Sequence, residues 1–220
     1  MKHVIIGNGP AGVIAAETLR KEDPASEIVL VGDEPEPPYS RMAIPYLLEG
    51  QIDEAGTYLR KAAGHFERLG IELVTGRATA LDTKQRTVAL DQGTPIAWDR
   101  LLIATGSHPN RPPIPGADLP QVLPCWTLAD ARAIMRRAKK GARVLQMGAG
   151  FIGCIILESL KARGVELTLV EMGTRLVPRM MSETAGGLIK RWVESQGVRV
   201  LTSTRVEKME PAAKDAVSVT

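Results

Sequence analysis

The sequence predicts an α/β protein of two consecutive units, each built on a parallel sheet with a small antiparallel meander. Three observations carry that prediction. Two glycine-rich turns, "GNGPAG" (7–12) and "GAGFIG" (148–153), begin 141 residues apart. Each follows a short apolar run, "HVIIG" or "RVLQM", and opens a segment with helical spacing of its apolar residues. Between them lies "SHPNRPPIPGADLP" (107–120), whose five prolines in fourteen residues exclude regular structure.

In the first unit "KHVIIGN" reads as a short buried strand. "PAGVIAAETLRKE" sets Ala11, Ile14, Ala15 and Thr18 or Leu19 at helical spacing, and "EIVLVGDE" (27–34) is apolar on both faces, as parallel strands are. After the loop "EPEPPYSR", "AIPYLLEG" is helical. "TYLRKAAGHFERLG" lines up Leu59, Ala62, Ala63, Phe66 and Leu69 and predicts a helix that stops at Gly70. "IELVTG", "RATALDT", "RTVALD" and "TPIAWD" read as a strand followed by the meander, and "RLLIATG" closes the unit as another buried strand.

The proline-rich stretch is the best linker, which divides the chain into 1–110, a linker at 111–126, and 127–220. The second unit opens with the helix "TLADARAIMRRAKKG", where Thr127 and Asp130 have capping-box spacing. "ARVLQMGAG" is a strand, "FIGCIILESLKARG" a helix ending at Gly164, and "VELTLVE" a strand. "SETAGGLIKRWVESQG" is a helix despite Gly186 and Gly187, and "VRVLTST" is a strand. "RVEKMEPAAKDAVSVT" begins a second meander, so this unit is expected to be incomplete at its C-terminal side.

Composition narrows the function. At 220 residues, 44% hydrophobic and 24% charged, the chain is long enough and ordinary enough for a globular core. A formal charge of +3, with no Lys/Arg tract interleaved with aromatics, argues against nucleic acid. The densest basic run, "RRAKKGAR" (136–143), suits the solvated end of a helix. A strand beginning within three residues of Met1 leaves no room for a signal peptide. No apolar run reaches the roughly 18 residues of a membrane span, so a cytoplasmic, membrane-free protein is expected. Cys125 and Cys154 form no C-x-x-C pair, which suits a reducing compartment and disfavours a zinc or dithiol centre. His3, His65 and His108 are scattered, and no metal site is expected.

Each glycine turn has the context a dinucleotide needs: strand before, helix after, and a second strand ending in acid. The first glycine makes the tight turn, the second lets backbone approach a pyrophosphate, and the third lets helix pack closely on strand. Gly7, Gly9 and Gly12 fill those places, as do Gly148, Gly150 and Gly153. The helix N-terminus then offers unpaired N–H groups to phosphate. Glu171 ends "LTLVE" 23 residues after Gly148, where a carboxylate accepts from a ribose 2′-OH and repels a 2′-phosphate. The second unit should therefore prefer NAD to NADP, with Arg175, four residues on, placed to soften the preference. In the first unit Gly32 stands opposite Glu171 in register; Asp33 or Glu34 is expected to bond the adenosine ribose, and the sequence leaves the choice open.

The ordered set "VIIGNGPAG", "VGDEPEPPYSR", "LLIATGSHPNRPPIPG", "VLQMGAGFIG" and "LVEMGTRLVPR" resembles the flavin-dependent pyridine nucleotide–disulfide oxidoreductases, and most closely their NADH-oxidase, nitrite-reductase and ferredoxin-reductase branch. The resemblance covers the whole chain and implies two Rossmann-like units of three-layer ββα type, the first for FAD and the second for NAD(P)H. It implies that Gly7, Gly9, Pro10, Ala11 and Gly12 hold the FAD pyrophosphate. Arg41 would reach toward FAD, Ala78 would lie near its adenine, and Ala104, Thr105 and Gly106 would line its cleft. Gly148, Gly150, Phe151, Ile152, Gly153 and Glu171 would serve NAD.

Three departures from the family pattern matter. Met42 stands where relatives with peroxidase or disulfide-reductase activity carry a redox cysteine, and a thioether forms no thiolate. The same loop lacks the lysine of many ferredoxin reductases. Ile155 replaces the glutamate of G-x-I-G-x-E, and Glu158, one turn on, reads as a surface residue. The Gly-Asp motif and interface domain of relatives do not follow.

The resemblance implies an NADH-dependent flavoprotein oxidoreductase, or its N-terminal part, passing hydride from NADH to FAD and electrons to a redox protein, haem or iron–sulfur partner. An NADH oxidase reducing oxygen at the flavin, and a non-catalytic nucleotide-binding subunit completed by a partner chain, are the alternatives. A homodimer or a partner subunit is compatible with either. No catalytic side chain is expected, because the flavin would carry the chemistry.

Overall fold

The computed structural model describes residues 1–220, with the side chains of all but Lys214. Continuous apolar runs build the central strands of the first unit's sheet. Its elements are β1 (Lys2–Ile6), α1 (Pro10–Glu22) and β2 (Glu27–Gly32), and then, after the excursion that forms α2 (Ile44–Glu49), α3 (His65–Arg68), β3 (Ile71–Thr75), β4 (Ala78–Asp82), β5 (Thr87–Leu90), β6 (Ile96–Ala97) and β7 (Arg100–Ile103). The parallel sheet has the order β3-β2-β1-β7, and β4-β5-β6 is a separate antiparallel sheet. Because side chains alternate faces along a strand, β1 and β2 feed two cores. Ile5, Ile28 and Leu30 pack with Val13 and Ala16 of α1 and with Phe66; Val4, Ile6, Val29 and Val31 pack with Val88 of the meander. Helix, parallel sheet and meander thus form three layers.

The second unit contains α4 (Leu128–Arg137), β8 (Arg143–Met147), α5 (Phe151–Ala162), β9 (Glu166–Val170), α6 (Glu183–Ser195), β10 (Arg199–Leu201) and the hairpin β11 (Met209–Ala212) with β12 (Ala216–Val219). Its parallel sheet has the order β10-β9-β8. Helix α2 belongs here. Arg163, just past α5, donates to the carbonyls of Leu48, Met135 and Ala138 and so ties the ends of three helices together. The fully buried Ser159 hydroxyl donates to Glu49 Oε1.

Four sequence expectations need revision. Residues 57–70 are not one helix: only α3 forms, Gly64 before it is left-handed (φ +67), and Ala62 and Ala63 are exposed. Arg60, held by Glu17, and Leu59, whose N–H donates to Pro38, draw the preceding residues away from a helical path. Helix α1 buries Gly12, Val13 and Ala16 and exposes Ile14, because Gly12 packs directly against the turn. "RLLIATG" is not fully buried: β7 is an edge strand with Leu102 and Ile103 exposed. The compact units comprise 1–41 with 54–108, and 42–53 with 109–220, so all five prolines of the linker stretch, from Pro109 on, go with the second unit. Ile114, Ala117, Leu119 and Val122 pack on Val170, Val206 and Met209, since prolines bend that segment while its apolar residues still seek burial. No helix among the described residues is long and apolar enough to cross a membrane.

Candidate functional site

The two glycine turns are built alike. Gly7 (φ +112) and Gly148 (φ +92) leave their strands in a conformation that side-chain-bearing residues avoid. A Cβ on Gly12 would overlap the Gly7 carbonyl, and one on Gly153 the Gly148 carbonyl, so each third glycine lets its helix sit on the turn. Gly9 and Gly150 have no atom within 4 Å of where a Cβ would stand. Both are N-caps without a side-chain capping bond, and Val13 N–H and Cys154 N–H are the ones that return to the cap carbonyls. The N–H groups of Ala11 and Gly12, and of Phe151, Ile152 and Gly153, therefore lack intrahelical acceptors. Pro10 contributes no N–H but starts α1 with a helical φ.

In the first unit β7 delivers Ala104 against the turn: its N–H donates to Ile6, and its carbonyl lies where a Cβ on Gly7 would be. Thr105 is also in contact there, and Gly106 is left-handed (φ +66). Gly32 is occupied from above by the Asn8 side chain. Of the two acids, Asp33 pairs at the surface with Arg77 (3.0 Å), whereas Glu34 is held by Tyr39 Oη (2.6 Å) and Arg41 (2.9 Å). Arg41 also donates to the Ser107 carbonyl, which joins the 33–41 loop to the end of "ATGS". Ala78 packs against the Val88 cluster.

In the second unit one cleft is lined by Gly148, Gly150, Phe151, Ile152, Gly153 and Glu171. The β8–β9 pairing of Met147 with Val170 repeats that of Ile6 with Val31, so Glu171 holds in its unit the place that Gly32 holds in the first. Its carboxylate accepts from the N–H groups of Ala149 and Gly173, each at 2.7 Å. The Ala149 carbonyl accepts from Val177 N–H (2.8 Å), and Val177 is left-handed (φ 48) although β-branched. Arg175 donates to the carbonyls of Met181 and Pro178, so its guanidinium braces the 175–181 loop. Phe151 and Ile152 are half exposed at the start of α5.

Sequence reading missed Gln146, a polar residue between the apolar Leu145 and Met147 of β8, which donates to the carbonyls of Gly148 and Gly153. The amide was visible in "VLQM"; its partners, two and seven residues away, were not. Met42 is 71% exposed, Ile155 is partly buried and Glu158 is exposed. Burial, reinforced by Asp130, pushes the Cys125 thiol up to about 12, and burial with Glu158 and Glu171 raises that of Cys154, so neither is an activated nucleophile. His65 bonds Glu17, and His3 lies 3.8 Å from Asp23.

All 220 residues match the profile described as pyridine nucleotide-disulphide oxidoreductase. The chain is 33% identical over 218 residues to an NADH oxidase of Methanocaldococcus jannaschii, covering 95% of this chain and 48% of that one. It is 32% identical over 204 residues to the ferredoxin–NAD(+) reductase subunit of a benzene 1,2-dioxygenase system of Pseudomonas putida, covering 92% and 49%. The crystal structure of a ferredoxin reductase from Rhodopseudomonas palustris superposes with a TM-score of 0.90 at 29% identity, over 99% of this chain and 54% of that one. The chain thus spans about half the length of these relatives. With the match running from Met1 to Thr220, the chain belongs to the pyridine nucleotide-disulphide oxidoreductase family.

Proposed function

We propose that the chain forms the FAD- and NADH-binding portion of an NADH-dependent flavoprotein reductase that passes electrons to a small redox protein. The observation that carries this reading is the paired cradle. In both units the second glycine is open on its Cβ side while the third is packed against the first. That is the space a pyrophosphate requires above a helix N-terminus.

In this reading residues 1–41 and 54–108 take FAD. Gly7, Gly9 and the N–H groups of Ala11 and Gly12 face its pyrophosphate, and Ala104, Thr105 and Gly106 border the same turn. Glu34, oriented by Tyr39 and Arg41, is the acid we assign to the ribose, with Asp33 left to its surface pair with Arg77. Ala78 has a packing role beside this site. Residues 109–220, with 42–53, take NADH at Gly148, Gly150, Phe151, Ile152 and Gly153. The Glu171 carboxylate, fixed by two N–H donors, keeps free lone pairs for ribose hydroxyls and repels a 2′-phosphate. Arg175 directs two of its five N–H donors at backbone carbonyls of its own loop and bears on that repulsion only through the charge it keeps.

FAD, held at the Gly7–Gly12 turn, would supply the redox chemistry, a hydride transfer from NADH. An exposed methionine at 42 excludes a thiol relay there, so transfer to a redox protein fits better than disulfide reduction. The ferredoxin reductases among the relatives point to that acceptor class. Two free cysteines fit a reducing, cytoplasmic setting.

An anaerobic titration tests this. The protein should retain FAD, and NADH should bleach its visible band at concentrations at least ~10-fold below those of NADPH, with Glu171→Gln narrowing the gap by roughly 10-fold, the equivalent of one charge-assisted contact. A protein that keeps no flavin, or responds equally to both nucleotides, overturns the reading.

A further inference from the structure

Gln146 lies two residues before Gly148 in β8, and its side chain closes the back of the second glycine turn. Nε2 donates to the Gly153 carbonyl at 2.7 Å and to the Gly148 carbonyl at 3.3 Å. The two acceptors dictate how the amide points, because the reversed amide would set Oε1 against two carbonyl oxygens. Oε1 is buried and has no hydrogen-bond partner among the described residues. A buried acceptor left unpaired carries a desolvation cost that an apolar side chain would avoid.

The first unit shows that such a strand folds without the amide. Two residues before Gly7 stands Ile5, wholly buried in an apolar cluster. The second unit therefore keeps a costlier residue at the equivalent position. The half of the amide that is satisfied joins the first and third glycines of the turn. On the other side of the turn the Ala149 peptide is held by Glu171 and Val177. Gln146 completes this hold and leaves the N–H groups at the start of α5 facing outward.

We propose that Gln146 is a positioning residue for the dinucleotide, pinning the 148–153 turn in the conformation that meets a pyrophosphate. This rests on the reading that the second unit takes NADH. Gln146→Met preserves length and removes both donors. Binding of NADH and of ADP-ribose, which shares the pyrophosphate but lacks the nicotinamide, should weaken together by about tenfold, as two neutral hydrogen bonds allow. FAD affinity should stay within about twofold, and the Tm should be unchanged or higher, because the unpaired acceptor is gone. Gln146→Glu keeps the length but offers no donor when ionised; its ADP-ribose affinity should recover on acidification, as the protonated carboxyl regains one, whereas that of Gln146→Met should not.

Wild-type affinity in Gln146→Met overturns the proposal, as does a loss confined to NADH. A Tm that falls in step with affinity, or failure of both variants to fold, makes Gln146 a folding residue and also overturns it. Wild-type protein that binds neither NADH nor ADP-ribose overturns the underlying reading instead.

Discussion

Asn8 and Ala149 hold the same place in their turns, and so do Gly32 and Glu171 at the ends of the paired strands. The volumes are exchanged. In the first unit a turn side chain covers a strand-end glycine; in the second a strand-end carboxylate reaches back to a bare turn N–H. One geometry is thus met from opposite sides, and only the second arrangement leaves a carboxylate at the strand end. Val177 shows a different cost. Its left-handed backbone is strained for a β-branched side chain, yet its N–H must reach the Ala149 carbonyl. Val177→Gly should therefore be less destabilising than Val198→Gly, a comparably buried valine without positive φ, by about 1–2 kcal/mol. Equal losses in urea denaturation would show that no strain is borne at 177.

Among the elements, α4 carries the best-determined start. Thr127 Oγ1 accepts from Asp130 N–H (3.1 Å), and Asp130 Oδ2 accepts from the N–H groups of Thr127 (2.8 Å) and Trp126 (3.0 Å). The three-residue spacing of Thr127 and Asp130 was legible in the sequence because a capping box is local. Thr127→Ala should cost about 1 kcal/mol and lower the Tm more than Ser182→Ala, since Ser182 at α6 accepts one longer bond. The predicted helix over 57–70 failed for the opposite reason. Helical spacing was present, but Gly64 and contacts made by Leu59 and Arg60 with residues far along the chain overrode it.

Across the first unit the Glu17–Arg60–His65 group joins α1 to the segment some forty residues on. The Arg60 guanidinium, and to a lesser degree His65, hold the Glu17 carboxyl below its ordinary value. A depressed carboxylate contributes stability that is present above the unfolded-state pKa and lost as pH falls through the folded one. The stability difference between wild type and Arg60→Met should therefore be full at neutral pH and shrink as acid protonates Glu17. A difference that stays constant down to pH ~3, below the ordinary carboxylate range, would assign Arg60 to packing alone.

Legible in the sequence alone were the two strand–turn–helix repeats, the tight turn at each first glycine, the close packing at each third, the cap of α4 and the acid at the end of β9. All of these are short-range: excluded volume at a missing Cβ, a bond spanning three residues, or an alternation of period two acts within one element. Only the folded chain decides that α2 and the prolines from Pro109 on belong to the second unit, that Arg175 donates within its own loop, and that Gln146 bonds the turn carbonyls. Long polar side chains and apolar loop residues take whichever partners the folded chain brings near. Those partners, unlike a glycine's allowed φ, are not written beside them.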